Sequence, residues 1–162
     1  MKFLLSLIFL FPSAIIAQKN ELKTNLLKIP EISYERRLTH HFSAGVHAGT
    51  GLYKLSDDTQ NRIFLKTFGR WYVQKNQDFS KFFLQLSFMY NRDEHFPSSD
   101  PSVTHRVGMY DEAGLLAGIG YKFVIKERFT VDIYGDVGAD FLHPDSLLPV
   151  IADAGLNLGY RF

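Results

Sequence analysis

The last thirteen residues of the chain, from Val150 to Phe162, alternate polar and apolar side chains and end on an aromatic residue. In an extended strand, this alternation places the two kinds of side chain on opposite faces. The apolar face carries Ala154, Leu156, Leu158, Tyr160 and Phe162. On a soluble sheet, such a strand would leave a long apolar edge open to aggregation. It suits the closing strand of a transmembrane β-barrel, in which about 9 to 11 tilted residues cross the bilayer.

The first residues of the chain have the three parts of a secretory signal peptide. Lys2 precedes an apolar run from Phe3 to Phe11, and small residues lead to Ala17. The run is shorter than the roughly 20 residues of a spanning helix, and a polar segment follows it. We therefore predict export with cleavage after Ala17, which divides the chain into a signal peptide, 1–17, and an outer-membrane β-barrel domain, 18–162. The alternative is an N-terminal membrane anchor that is retained.

The composition excludes several classes of protein. The chain has no Cys, which rules out disulfides, thiolate metal sites, cysteine nucleophiles and a lipoprotein anchor. Loss of Lys2 with the signal peptide lowers the 18 Lys and Arg to 17, which balances the 17 Asp and Glu. Because the mature chain is neutral, nothing indicates a nucleic-acid partner. After the signal peptide no apolar run is long enough for a membrane helix, so a membrane-spanning chain must close into a barrel.

Period-two alternation and turn residues predict eight antiparallel strands in an up-and-down order. Their approximate bounds are 21–28, 31–38, 42–53, 61–74, 81–92, 111–124, 128–142 and 150–162. The connections after strands two, four and six are short, and those after strands three, five and seven are longer. This parity is typical of an outer-membrane barrel with both termini in the periplasm. The short first link at Pro30 is an exception, and 21–38 could instead form one strand kinked there.

The orientation of the faces needs separate evidence, because a soluble lipocalin-like barrel also alternates but points its apolar face inward. Charges avoid the apolar face, where Arg36, close to a turn, is the clear exception. Small residues crowd the polar face, as expected for a narrow lumen in which Gly makes room for long side chains. These glycines are Gly45, Gly49, Gly51, Gly114, Gly118, Gly120, Gly138, Gly155 and Gly159. Both features favour an apolar exterior.

Aromatic residues of the apolar face gather near the short turns and the C-terminus. They are Phe42, Trp71, Phe82, Tyr121, Phe123, Phe129, Tyr160 and Phe162. Aromatic side chains at one end of the strands are typical of the girdle at a membrane interface. The sequence therefore predicts an all-β, antiparallel, eight-stranded transmembrane barrel.

The closing segment 156–162, Leu-Asn-Leu-Gly-Tyr-Arg-Phe, completes a pattern that resembles the small eight-stranded outer-membrane barrels, such as the OmpA transmembrane domain and OmpX. The opening segment Asn20–Leu27, followed by Ile32–Arg36, looks more particularly like uncharacterised outer-membrane barrels of Bacteroidota. The resemblance implies a location in the outer membrane of a Gram-negative bacterium. It also implies that the C-terminal strand, with Tyr160 and Phe162, is the signal read by the barrel-assembly machinery.

Charged side chains of the polar face are predicted to meet inside the barrel. This predicted lumen network consists of Glu35, Arg37, His47, Lys66, Arg70, Glu112, Lys122, Asp132, Asp136, Asp140, Asp153 and Arg161. A pore selective for one sign of ion would show an excess of one charge, and these acids and bases nearly balance. Since buried charges need partners, we predict a plugged lumen that holds the strands in register.

The functional prediction is a monomeric barrel in contact with outer-membrane lipid, with a structural or adhesin-like role, no cofactor and no chemistry of its own. The turn-rich outer loop 93–110 is the predicted site for an extracellular partner. The alternatives are a small channel, a binder of a hydrophobic molecule, a lipid A-modifying enzyme and a soluble periplasmic barrel.

Catalytic and metal-binding sites find little support in the residue pattern. His143, Asp145 and Ser146 include the residue types of a hydrolytic triad, but they lack the His-Ser motif of the lipid A deacylase barrels. Pro144 beside Asp145 is typical of a turn. The histidines at 40, 41, 95, 105 and 143 lack ligand spacing, so no metal site is predicted.

Overall fold

The computed structural model describes residues 19–28, 30–53, 60–74, 80–95, 108–142 and 150–162. The strands are β1 (Asn20–Asn25), β2 (Glu31–Arg37), β3 (Phe42–Tyr53), β4 (Gln60–Tyr72), β5 (Lys81–His95), β6 (Gly108–Ile125), β7 (Phe129–Asp140) and β8 (Val150–Arg161). Each strand pairs antiparallel with the next, and β8 pairs with β1, so the sheet closes as a barrel. The predicted fold class, an antiparallel eight-stranded barrel, is confirmed.

Several predicted features lie outside the described residues. They are the signal peptide 1–17, most of the outer loop 93–110, and the segment that contains His143, Asp145 and Ser146. Within the described part of the chain, no helix has the length and apolar character needed to cross a membrane.

The first two strands are separate, so the alternative of one kinked strand over 21–38 is wrong. They pair antiparallel, with Leu22 opposite Tyr34. The link between them is fixed by local hydrogen bonds: the Asn25 side chain accepts from the backbone N–H of Leu27 at 2.9 Å, as in an Asx turn. Pro30 lies in this link, where its carbonyl accepts from the N–H of Thr50 at 3.2 Å.

The connections differ between the two ends of the barrel, which we name the short-turn end and the long-loop end. The short-turn end holds the start of β1, the end of β8 and the β2–β3, β4–β5 and β6–β7 connections. The β6–β7 turn is closed by Lys126 and Glu127, which adopt positive φ angles of 49° and 63°. At the long-loop end β6 runs on to Gly108, whereas its pairing with β7 reaches only Gly114. The β5–β6 hairpin therefore extends past β7.

Side chains alternate strictly between the lumen and the exterior, because the strand period is two. Exposed apolar residues cover the outside, including Leu86, Ile32 and Val137 at 57–62% exposure. Among the strand residues whose side chains the structure describes, outward charges occur only at Arg36, near the short turns, and at the Arg92–Asp111 pair near the long loops. The strands β7 and β8 have 12 residues each, which fits the roughly 9 to 11 residues of a membrane crossing.

The aromatic residues at the short-turn end form a belt on this outer surface. Phe42 lies opposite Trp71 across β3 and β4. The rings of Phe129 and Tyr160 pack edge to face with centroids 5.6 Å apart. Such belts occupy the level of the lipid headgroups in membrane barrels.

Large aromatic side chains fill much of the lumen, and three of them lie over a glycine of the neighbouring strand. A Cβ added to Gly45 would overlap the ring of Phe68, its partner across β3 and β4. In the same way, Gly120 leaves room for the ring of Phe83, and Gly155 for the ring of Tyr134. Phe83 and Tyr134 form an apolar cluster of the lumen with Tyr72. A second apolar cluster, nearer the long-loop end, contains Phe64, Met89, Leu116 and Ile151.

Candidate functional site: a buried ion-pair network in the lumen

Glu35, at the centre of the lumen near the short-turn end, gathers more donors than any other described carboxylate. It lies on the inward face of β2 and is 2% exposed. Its partners are Lys23, Ser43 Oγ at 2.5 Å, Arg70 Nη1 at 2.8 Å, the Tyr72 hydroxyl at 2.8 Å and Lys122 Nζ at 3.0 Å. These donors come from four strands, β1, β3, β4 and β6, so together with its own strand β2 this one carboxylate links five of the eight strands.

Two further carboxylates, Asp132 and Glu21, lie beside Glu35. We call these three carboxylates and their cations, near the short-turn end, the lower group. Asp132 Oδ2 lies 2.5 Å from Lys23 Nζ and 2.7 Å from Arg70 Nη1. The partners of Glu21 are Lys23 at 3.0 Å, Lys122 at 2.7 Å and Arg161 at 2.6 Å. The lower group thus opposes three carboxylates to four cations, all nearly or fully buried. Charges taken out of water are tolerated when they are paired and hydrogen-bonded in this way.

An upper group, toward the long-loop end, is centred on Lys66 of β4. Its Nζ lies 2.7 Å from Asp136 and 2.5 Å from Asp153. Asp153 also pairs with Lys28, from the β1–β2 link, and accepts a hydrogen bond from the Tyr134 hydroxyl at 3.2 Å. Two cations and two carboxylates balance here.

Gln85 of β5 joins the two groups. Its Nε2 donates to Asp136 at 2.6 Å, and its Oε1 accepts from Arg70 Nε at 2.6 Å. An unbroken chain of contacts therefore leads from Lys28 at the long-loop end to Arg161 at the short-turn end. The lumen is filled along this path by polar contacts between strands that are distant in sequence.

A separate buried pair lies beside the upper group. His47 Nδ1 is 2.7 Å from Glu31 Oε1, and Asn25 donates to the other Glu31 oxygen at 3.3 Å. The imidazole packs 4.7 Å from the ring of Phe68 and 5.7 Å from that of Tyr134. In the described residues, no three His, Asp or Glu side chains are arranged to hold a metal ion.

The residues of the predicted lumen network fall into four sets. Glu35, Arg70, Lys122, Asp132 and Arg161 lie in the lower group, and Lys66, Asp136 and Asp153 in the upper group, while His47 pairs with Glu31. The others lie near the strand ends: Asp140 accepts from the backbone N–H groups of Ala113 and Leu142, Glu112 from Asn91, and Arg37 contacts Thr39 and His40 of the β2–β3 turn. Arg37 lies at the rim rather than at mid-wall because β2 ends there.

Sequence reasoning missed several members of the network, notably Glu21, Lys23, Glu31, Tyr72 and Gln85. The alternation of β1 contained the signal for Glu21 and Lys23, because the residue between them is apolar and points outward. Tyr72 and Gln85 gave no such signal, since their contacts depend on the register of several strands.

The fold and its interior define a class: closed eight-stranded barrels with an apolar exterior and a lumen filled by paired charges. The chain belongs to the family described as "Protein of unknown function (DUF3575)", whose model matches residues 2–146. Among solved structures, the N-terminal β-barrel domain of Pseudomonas aeruginosa OprF is similar, with a TM-score of 0.51 and 16% identity over 89% of this chain and 94% of that one. At this identity the likeness establishes the fold alone. No curated protein gives a significant match.

Proposed function

We propose that this protein is an outer-membrane barrel of a Gram-negative bacterium with a structural or surface-interaction role and a lumen closed by its own side chains. The membrane location is supported by the apolar exterior, by the aromatic belt and by the OprF-like fold. The cleaved signal peptide 1–17 and the affinity to Bacteroidota barrels belong to the same proposal.

The observation that carries the closed lumen is the unbroken chain of contacts from Lys28 to Arg161. Arg70 and Lys66, both on β4, are fully buried. Their side chains reach across the lumen to Asp132 and Asp136 of β7. An ion in transit would have to separate such pairs, and breaking a buried pair costs about 3–5 kcal/mol. We therefore favour a structural role for the network over a conducting pathway.

The two ends of the barrel have different proposed partners. With the short-turn end in the periplasm, the C-terminal strand, including Tyr160 and Phe162, presents the signal for the barrel-assembly machinery. The long-loop end then faces the outside, where the β5–β6 hairpin extends past β7 and carries the turn-rich loop 93–110 toward an extracellular partner. Loops held on a rigid scaffold are common binding elements. No catalytic activity is part of this proposal.

The lumen is tested first, by reconstitution in planar bilayers. The membrane fraction of expressing cells should yield a barrel whose gel mobility changes on boiling, and the purified barrel should give no regular conductance steps. Steady steps from a folded barrel would contradict the closed lumen and favour the alternative of a small channel.

The surface role is tested by deletion of residues 97–103 from the outer loop. The barrel should keep its heat-dependent mobility, while adhesion of expressing cells to matrix proteins or to other cells should be lost. A matched deletion of 55–58, in the β3–β4 loop, should leave adhesion intact. Equal adhesion of both deletion variants and the complete protein would refute the role of loop 93–110.

A further inference from the structure

The short-turn end of the barrel carries a one-sided set of charges. Its described basic side chains, which we call the basic rim, are Lys19, Arg36, Arg37, Lys81, Lys126 and Arg128; the exposed acid among them is Glu127. The turn 75–79 adds one Lys and one Asp by sequence, which cancel. The acids of the lower group, Glu21, Glu35 and Asp132, face the lumen and are paired within the network.

The long-loop end has the opposite character. Arg92, on its outer surface, is paired with Asp111 at 2.7 Å. Lys28 is paired with Asp153 inside. By sequence, the segment 93–112 contains five acids and one Arg. At the short-turn end the described exposed basic side chains therefore outnumber the exposed acids, whereas acids predominate by sequence in the segment 93–112.

Two arginines of the basic rim lie at the aromatic belt itself. Arg36 is exposed on the outer face of β2, two residues beyond Tyr34. Arg128 donates to the Tyr160 hydroxyl at 3.2 Å. An arginine beside interfacial aromatic rings sits at the level of the lipid headgroups and can bind a phosphate with two N–H groups.

The mouth of the barrel at the same end adds to the positive field. A depression of about 560 Å³ opens there, and its charged lining residues are Lys81, Lys126, Lys122 and Arg161 with one acid, Glu127. Lys122 and Arg161 are paired with Glu21, so Lys81 and Lys126 are the exposed basic side chains of this lining. A concave surface with an excess of one charge attracts the opposite charge.

We propose that the basic rim binds the phosphate groups of anionic phospholipids in the leaflet that surrounds the short-turn end, with Arg36 and Arg128 as the principal contacts. This inference rests on the proposed membrane location. An anionic lipid is favoured over a soluble anion because both arginines lie on the lipid-facing side of the wall, next to the aromatic belt.

Trp71, the single tryptophan, makes the proposal measurable. It is exposed in the same belt, two strands across and two residues along from Arg36, which is about 12 Å at the spacings of strands and residues in a sheet. The barrel is folded into phosphatidylcholine vesicles that contain a trace of dansyl-labelled phosphatidylglycerol or dansyl-labelled phosphatidylcholine. Energy transfer from Trp71 then reports which lipid is enriched beside the rim.

We expect stronger transfer to the labelled phosphatidylglycerol, and a loss of this preference at high salt. Arg36→Gln with Arg128→Gln should reduce the preference by up to about fivefold per charge, whereas Arg36→Lys with Arg128→Lys should retain most of it. Arg92→Gln, at the opposite rim, is the matched control and should change nothing. All these side chains are exposed, so the heat-dependent gel shift should persist in each variant.

Equal transfer to both labelled lipids, or a preference that survives the double Gln substitution, would overturn the inference. Binding of soluble polyglutamate to the folded barrel without lipid preference would also overturn it, in favour of a polyanion as the partner. Failure to insert into vesicles would overturn the membrane location as well, which separates the two proposals.

Discussion

Replacement of Glu35 by Gln provides the most direct test of the lumen network. The substitution keeps the size of the side chain and removes one negative charge. The lower group would then oppose four cations to two carboxylates, Asp132 and Glu21, in a region closed to solvent. Loss of one partner from a buried ion pair costs about 3–5 kcal/mol, because the remaining charge stays desolvated. We expect the free energy of unfolding to fall by that amount.

The assay is urea unfolding of the barrel in lipid vesicles, followed by Trp71 fluorescence and by the heat-dependent gel shift. With a slope of about 2 kcal/mol per molar urea, the midpoint should fall by roughly 2 M at an unchanged slope. Glu127→Gln, in the exposed β6–β7 turn, is the matched control and should stay within about 0.5 kcal/mol of the wild type. A shift for Glu35→Gln below about 0.5 M would refute the reasoning.

A second substitution distinguishes lost charge balance from lost packing. Lys122 Nζ lies 3.0 Å from Glu35, so Lys122→Met in the Glu35→Gln background removes one of the cations left in excess. The double variant should be more stable than the sum of the single effects predicts, by about 0.5–3 kcal/mol. Strict additivity would mean that the two residues are not energetically coupled.

Three further predictions concern the wall, the apolar lumen and the long-loop end. Gly118→Ala should destabilise the barrel by about 1–3 kcal/mol in the same urea assay, because its Cβ would overlap the carbonyl oxygen of Gly135. Gly69→Ala is the control and should be nearly neutral, since the space around Gly69 is open. Leu116→Ala should lower the free energy of unfolding by about 2–5 kcal/mol, because it opens a cavity in the apolar cluster. Leu115→Ala, on the outer face, should lower it less. Equal losses would contradict the assignment of Leu116 to the lumen and Leu115 to the exterior. Deletion of 97–103 should leave the urea midpoint unchanged, since the deleted residues lie beyond the last strand pair.

The wall of the barrel was predictable because it depends on local alternation. A period of two, read against turn residues, placed all eight strands and the parity of the connections, and it separated Asp132 and Asp136 from Ile133 and Val137. The extra length of β6 was not predictable, since residues 108–110 pair only with β5 and show no clear pattern of their own. The conformation of the β6–β7 turn was not predictable either. Positive φ angles are usually indicated by glycine, but here Lys126 and Glu127 adopt them.

The contents of the lumen were only partly predictable. The inward charges of β4 and β7 stood out, but the inward aromatics Phe64, Phe68 and Phe83 were not recognised as lumen residues. Which inward side chains touch depends on how far each strand is staggered against the next, and that is a property of the closed barrel rather than of any segment. The bridging role of Gln85 between Asp136 and Arg70 follows from this stagger.

The sequence separation of the network partners has a consequence for the order of assembly. Glu21 and Lys23, on the first strand, find Arg161, Lys122 and Asp132 at distances of 140, 101 and 109 residues along the chain. These contacts can form only when the first and last strands meet, so a growing sheet must keep their charges hydrated until then. Water must leave the lumen as the seam closes. Closure is thus the step at which an incorrectly staggered chain would be arrested with uncompensated charge inside, before it becomes a finished barrel.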